Sequence, residues 1–380
     1  MRAVLFGTFN SRHAANVLLA EELRAAGIEL RVCHESLWEE TRDKHDAYFA
    51  PGRLLGLALR WLVVSFRLAL RFRYAAAGAD IIVVGFNGQL DVLLARLLAG
   101  GRRVVFAPLV TLGETLVDDR QIYRETSLIG RLLRGLDRLT MAAADTVVMD
   151  TQAHADWLAA QVGVAPQKIR VHLLGAEAAY CPAAHATGSP MQWQPGPRLR
   201  VFGYASYLPL HGMAVVAAAA RELRPEEGIA FLLVGSGPER ARVEQELGGL
   251  PHVTLEDWMT QDELVQNLRE ADIVLGIFGS SIKAKMVIPN KVWQAAQVGC
   301  AILTADSPAI REAFVPGESI LTTAAEGAAL AAALRELAGE PERRAALGRS
   351  AREAALQHAG AEVRARRWRE TLGLAPRDGA

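Results

Sequence analysis

The chain has 380 residues, more than one hydrophobic core usually organises, and a division into two domains of roughly 150 to 200 residues is the first expectation. Hydrophobic residues make up 51% of it, with 33 glycines and 16 prolines, which excludes disordered and fibrous classes. The 42 basic and 42 acidic side chains cancel, so no global field holds a nucleic acid and any anion site is local.

Three cysteines, Cys33, Cys181 and Cys300, are odd in number and far apart, which argues against a disulfide framework or a zinc site and for a reducing compartment. The opening run Met1-Arg2-Ala3-Val4-Leu5-Phe6-Gly7 is too short for a signal peptide and reads as the first strand of a cytoplasmic protein. Short β-rich runs then alternate twice with Ala/Leu-rich helical stretches, the pattern of buried parallel strands in βαβ units. The first set of strands is predicted at 2–6, 29–33, 80–85, 103–107, 145–149 and 169–173; the second at 199–203, 229–235, 252–256, 272–276, 300–304 and 319–321.

In doubly wound sheets ligands lie beyond the carboxyl ends of the strands, so the loops there are the candidate sites. After the first strand, Gly7-Thr8-Phe9-Asn10-Ser11-Arg12-His13 leads into a helix from about Ala14. A glycine permits close backbone approach and the helix start offers free N–H donors, although a Ser or Asn cap in a connecting loop accounts for the same residues.

Segment 54–73, LLGLALRWLVVSFRLALRFR, is interrupted by Arg60, Arg67, Arg71 and Arg73 and so does not span a membrane. Arg60, Arg67 and Arg71 share a helix face. The helix is read either as a basic amphipathic element resting on an anionic membrane or as a cover for the sheet with snorkelling arginines.

Strand 80–85 runs into Gly85-Phe86-Asn87-Gly88-Gln89-Leu90-Asp91, where Asn87, Gln89 or Asp91 could meet the hydroxyls of a ligand or belong to an ordinary capped helix start. Asp118-Asp119 lacks the spacing of a metal-binding carboxylate pair, and no metal is expected. Glu177–Arg198, with Pro182, Pro190, Pro195 and Pro197, has linker composition and is placed as the hinge.

In the second half, Tyr204 to Gly212 places Ser206 and His211 after a strand and at a helix mouth; a lone histidine is as readily a structural hydrogen-bonding group. Gly235-Ser236-Gly237-Pro238-Glu239 resembles part of a dinucleotide fingerprint. Arg240 occupies the place of the third glycine, so a tight strand-to-helix turn also explains it.

The segment Gly276 to Gln294 is the strongest constellation: a glycine loop, Lys283, Lys285 and Lys291, and a helix opening near Pro289 and Asn290 with Gln294 one turn on. Helix-end N–H groups with lysines suit a diphosphate neutralised without a metal, and Gln294 suits a ribose hydroxyl; a solvated basic loop is the alternative. Asp306-Ser307-Pro308 opens another capped helix and is read as lining the same crevice. The tail, 341–372, is predicted helical, its last helix packing back on the first domain.

In this order the motifs resemble the retaining GT-B glycosyltransferases of family 4, from Met1 to about Arg367: the Gly7 loop, Gly175-Ala176-Glu177 through Tyr180-Cys181-Pro182, the segment Gly203 to Gly212, Gly235-x-Gly-Pro-Glu239, Ile288-Pro-Asn-Lys-Val-Trp-Gln294 and Gly299-Cys-Ala-Ile-Leu303. The resemblance implies an α/β GT-B architecture, two Rossmann-like doubly wound parallel-sheet domains facing across a cleft. The expected boundaries are 1–176, a linker at 177–198, a nucleotide-sugar domain at 199–358 and a C-terminal helix at 359–376.

It further implies a UDP- or GDP-sugar donor and a retaining, metal-independent, hexosyltransferase-type transfer in which the leaving diphosphate takes the acceptor proton. Relatives act on glycans, lipid-linked acceptors or membrane glycolipids, and a place in cell-envelope or polysaccharide biosynthesis at the inner face of the membrane follows as an expectation. The family's diphosphate-binding arginine and lysine are replaced by Ser206 and His211, and its two glutamates by Met286 and Gln294.

On this reading Lys291, Lys285 and His211 are the catalytic candidates, and Gly7, Thr8, Ser206, Gly235, Gly237, Lys283, Lys285, Pro289, Asn290, Lys291 and Gln294 hold the donor. Arg12, Asn87, Gln89 and Asp91 face the acceptor. Two other functions fit the same architecture: a sugar-nucleotide-binding protein without turnover, and a sugar-nucleotide epimerase. A dehydrogenase fits poorly, because neither Gly7 nor Gly235 begins a complete Gly-x-Gly-x-x-Gly run.

Overall fold

A computed structural model describes residues 1–37, 51–181 and 199–375; the linker prolines Pro182, Pro190, Pro195 and Pro197 lie outside the described residues, as do several side chains at the start of segment 54–73. The chain divides into two compact units, the first made of Met1–Val117, Gln121–Leu174 and the segment from Ala361, the second of Asp118–Arg120 and Gly175–Gly360.

The first unit is a parallel six-stranded sheet of order β2-β1-β3-β4-β5-β6: β1 Arg2–Gly7, β2 Glu29–His34, β3 Ile81–Val84, β4 Arg103–Phe106, β5 Thr146–Met149 and β6 Ile169–Val171. Its strands β3 and β5 are buried along their whole length, as expected for a sheet covered on both faces. One face carries α1 (Ala14–Ala25), the other α2 (Pro51–Ala75), α3 (Gln89–Leu98) and α4 (Leu128–Ala143), with α3 packed against both α2 and α4. The short helix α5 (Gln152–Trp157) follows β5.

The second unit is another parallel six-stranded sheet, of order β12-β11-β10-β7-β8-β9: β7 Leu199–Tyr204, β8 Ile229–Val234, β9 Val253–Glu256, β10 Ile273–Leu275, β11 Ala301–Ala305 and β12 Leu321–Thr323. The helices between and after these strands are α6 (Met213–Glu222), α7 (Arg240–Leu247), α8 (Gln261–Glu270), α9 (Ile282–Met286), α10 (Asn290–Val298), α11 (Gly327–Ala338) and α12 (Pro341–Ala359).

 

The strand expected at 319–321 begins two residues later, because Val315–Ser319 closes a turn in which Gly317 takes φ +85° and Ser319 Oγ accepts the Val315 N–H at 2.8 Å. The tail forms two helices, α12 over Pro341–Ala359 and α13 over Ala361–Leu372. The second belongs to the first unit and packs on α1: Glu22 of α1 forms an ion pair with Arg364 Nε at 2.8 Å and accepts a hydrogen bond from Trp368 Nε1 at 2.7 Å. Trp368 is fully buried there, and its removal would open a cavity costing about 3–5 kcal/mol. Among the described residues no helix is long and apolar enough to cross a membrane.

Candidate active site

In each sheet the chain reverses its winding direction at one point, and the loops on either side of that point diverge to leave a crevice. In the second unit the reversal lies between β7 and β10. The loop after β7 is tied to the loop after β10 by backbone bonds, Phe278 N–H to His211 O at 3.0 Å and Gly279 N–H to Leu210 O at 3.1 Å. Glycines allow this approach: a Cβ on Gly212 would stand 2.3 Å from the Phe278 carbonyl carbon, and one on Gly279 2.4 Å from Leu210 O.

Gly235 and Gly237 do the same on the β8 side. Their φ values are +121° and +155°, and a Cβ on either would fall 1.9 Å from a carbonyl oxygen, of Ala205 and Ser206 respectively. The reading of a tight turn is therefore incomplete, since these glycines seat the β8 loop on the β7 loop. Arg240, in place of the third glycine, lies over the Tyr207 ring at 5.3 Å and donates to its hydroxyl at 3.0 Å.

Beyond β10, Ser281 caps α9 by accepting the Ala284 N–H, and α10 opens at Pro289 with no side-chain cap. Lys291 therefore sits in the first turn of a helix of nine residues, and it is buried. Burial lowers its pKa to about 7, and its ammonium lies 5.8 Å from the centre of the Tyr204 ring. His211 is held well below the ordinary histidine range, first by burial and then by the positive charges of Lys291 and Lys283. Its Nδ1 accepts the Leu208 N–H at 3.1 Å, so the ring is fixed within its own turn.

The structure thus gathers Lys283, Lys291 and His211 within electrostatic reach of one another. Lys285 is exposed and lines a separate cavity of about 470 Å³, beyond β10, β11 and β12, with Ser280, Asp306 and Ser307. Met286 is buried. Ser206 is exposed in the β7 loop, and Pro289 and Asn290 form the mouth of α10.

Gln294, one turn further along α10, is also buried. Its Oε1 accepts the Tyr204 hydroxyl at 2.7 Å and its Nε2 donates to Glu177 Oε2 at 3.0 Å. The amide is fully oriented by these two contacts, which fix which end is nitrogen, and the carboxylate of Glu177 is brought to the site. Sequence reading named Glu177 only as a motif residue. Its polar role is carried by a tertiary contact 117 positions away, for which no local pattern exists.

In the first unit the reversal lies between β1 and β3. The Gly7 loop is held by Asp91, whose Oδ2 accepts the Thr8 N–H at 2.7 Å and the Thr8 hydroxyl at 3.0 Å. A Cβ on Gly7, at φ +137°, would meet that same oxygen at 2.6 Å. Burial raises the Asp91 pKa to about 6 against these hydrogen bonds. Gln89 donates to Val110 O at 3.0 Å, Asn87 has φ +68°, and the exposed Arg12 has its backbone N–H bound by the Asn10 side chain.

Asn87, Gln89 and Asp91 line one cavity of about 260 Å³ together with Thr8; its other walls come from α2, α4 and the 112–123 segment. That segment is anchored from below. Leu112 and Gly113 donate to Asp137, and Glu114 accepts from Thr111 N–H and stands 3.0 Å from His154 Nε2, whose Nδ1 is 2.8 Å from Asp150. Burial alone would depress the His154 imidazole, but the carboxylates of Glu114 and Asp150 outweigh it and lift the pKa to about 10. No group of three or more His, Cys, Asp or Glu among the described residues could hold a metal ion.

Comparison with known families matches residues 15–177 to Glycosyltransferase Family 4 and residues 214–370 to the family described as Glycosyl transferase-like. Sequence comparison with curated proteins gives no match. Among solved structures, a sucrose-phosphate synthase from Thermosynechococcus elongatus shares 16% identity over 98% of both chains with a TM-score of 0.73. HepE from Anabaena, solved in complex with UDP-glucose, shares 14% over 98% of this chain and 99% of its own with a TM-score of 0.67. A glycosyltransferase from Rickettsia africae shares 12% over 98% and 99%, with a TM-score of 0.64. With family sequence in each half and two six-stranded parallel sheets to carry it, the chain belongs to the family 4 glycosyltransferases of the GT-B fold.

Proposed function

We propose that the chain transfers a hexosyl group, with retention and without a metal ion, from a UDP- or GDP-sugar to a glycan or lipid-linked acceptor in cell-envelope or polysaccharide biosynthesis. The observation that carries this reading is the buried cationic group at the uncapped mouth of α10. Lys291 is kept where burial disfavours its charge, Lys283 adds to the same potential, and the imidazole of His211, held neutral by burial and these lysines, offers a donor at Nε2. A diphosphate supplies counter-charge to Lys291 and accepts from the N–H groups of the helix start.

On this reading Lys291 and Lys283 stabilise the negative charge that grows on the leaving diphosphate, and His211 donates through Nε2. A preorganised donor of this kind is worth about 3–4 kcal/mol in the transition state. The leaving phosphate oxygen takes the acceptor proton, so no protein nucleophile enters. Tyr204, Gln294 and Glu177 form a connected polar edge suited to the ribose hydroxyls. HepE, solved with UDP-glucose, supports a uridine donor here by likeness of fold. Arg12, Asn87, Gln89 and Asp91 stand on the acceptor side, and α2 makes peripheral contact with the inner face of a membrane.

The test is thermal protection by UDP and GDP, followed by the same measurement on Lys291→Ala. The expected result is a clear rise in melting temperature that the substitution removes; unchanged protection in the variant contradicts the assignment. A sugar-nucleotide-binding protein without turnover is the second reading, favoured by the buried Met286 where the family carries a carboxylate. Donor binding with no acceptor-dependent release of nucleoside diphosphate would establish it.

A further inference from the structure

The α2 helix has two apolar faces. Val64, Leu68 and Phe72 are buried against the sheet, while Leu59, Leu62, Phe66 and Leu70 point away from it, Phe66 with 66% of its surface exposed. Arg60 and Arg67 run alongside the outward stripe, seven residues apart. The α4 helix repeats the arrangement: Leu128, Leu132 and Leu139 are exposed, at spacings of four and seven, with Arg131 and Arg138 on their flank. Neither helix carries an exposed acidic side chain among its described residues, since Asp137 is buried. The inward face realises the sheet-covering alternative for 54–73, and the outward stripe has the apolar and basic composition that the membrane alternative requires.

Between these helices lies the 260 Å³ cavity of the first unit. Trp61, Leu112, Leu116, Tyr123 and Leu133 make its walls apolar, while Thr8, Asn87, Gln89 and Asp91 make one end polar. Leu90 and Ile129 line it and are also exposed, so its apolar lining continues into the outward stripes. A purely polar glycan would leave the walls unmatched.

We propose that this cavity holds the hydrocarbon part of an amphiphilic acceptor, with the hydroxyl-bearing end at Asn87, Gln89 and Asp91, taken from an anionic lipid surface on which the outward faces of α2 and α4 rest. The inference rests on the transferase reading for the word acceptor, and it selects a lipid over a free glycan. The arginine rows supply the charge complementarity and the Leu and Phe stripes the apolar insertion.

The test uses the full chain and straight-chain 1-alkanols of six to twelve carbons as probes, measured by calorimetry. Affinity is expected to rise about fourfold for each added methylene until the cavity is full. Ile129→Trp fills the mouth from an exposed position and should abolish binding; Leu133→Ala should move the limit to longer chains, which keeps the test open if the larger side chain impairs folding. Sedimentation with phosphatidylglycerol vesicles and not with phosphatidylcholine is expected, and Phe66→Asp with Leu132→Asp should release the protein.

Alkanol binding that ignores chain length or both cavity variants, or sedimentation that ignores lipid charge, overturns the proposal. UDP protection is followed in every sample. Its absence in the wild type strikes the donor assignment and leaves the alkanol result standing, whereas its presence without alkanol binding strikes only this proposal.

Discussion

Lys291→Met removes a charge from a place where the folded chain holds it at a cost. The fall from the ordinary 10.5 to about 7, at about 1.36 kcal/mol for each pH unit, limits that cost to about 5 kcal/mol. Burial lowers the value, so the sign is opposite to that of a lysine stabilised by a partner. Below pH 7 the residue is protonated in folded and unfolded chains alike, and the destabilisation is present in full. Between pH 7 and 10.5 the unfolded chain binds the additional proton, so wild-type stability gains with rising pH through this group.

Methionine fills a similar volume without the charge. The variant should accordingly be more stable than the wild type at pH 6, by up to about 5 kcal/mol, with the difference shrinking toward pH 10. The assay is urea unfolding at both pH values, paired with calorimetric titration of UDP and GDP. Nucleotide binding should be lost in the variant. In the wild type it should take up a proton at pH 8 and weaken above pH 7, because the bound diphosphate favours the ammonium form. A variant no more stable at pH 6 than the wild type, or one that still binds nucleotide, refutes the reasoning.

His154→Phe should destabilise the first unit by about 3–5 kcal/mol by leaving Glu114 and Asp150 buried without their cation. With its pKa raised to about 10, His154 contributes stability that is complete below pH 6.5 and is lost as pH rises through 10; pH-dependent melting of wild type and variant checks both statements. Gly237→Ala places a methyl 1.9 Å from Ser206 O, so donor affinity should drop at least tenfold while β8 stays folded, as read by nucleotide titration and circular dichroism. Tyr204→Phe frees the Gln294 carbonyl oxygen and should cost about 1–3 kcal/mol, seen as a raised KM for the donor with a smaller change in kcat.

Local patterns carried the architecture a long way. Central strands such as β3 and β10 announced themselves as short apolar runs, because a strand buried on both faces must be apolar throughout, whereas the edge strands β2, β9 and β12 carry polar residues and are partly exposed. The mouth of α10 was equally legible: a proline that cannot donate a hydrogen bond and a following Asn-Lys pair define a helix start whatever the chain packs against.

Which charges meet at that mouth was decided by tertiary structure. Lys283, Lys285 and Lys291 look equivalent in sequence, yet only Lys283 and Lys291 bear on His211, since the short helix α9 turns Lys285 toward the cavity beyond β11. Glu177 reaches Gln294 across 117 positions, and Asp91 secures the Thr8 loop across 83. Sequence spacing encodes the faces of a helix or strand, which depend on a few neighbouring dihedrals; the burial that lowers Lys291 and lifts Asp91 depends on every element packed around them, and only the folded chain sets it.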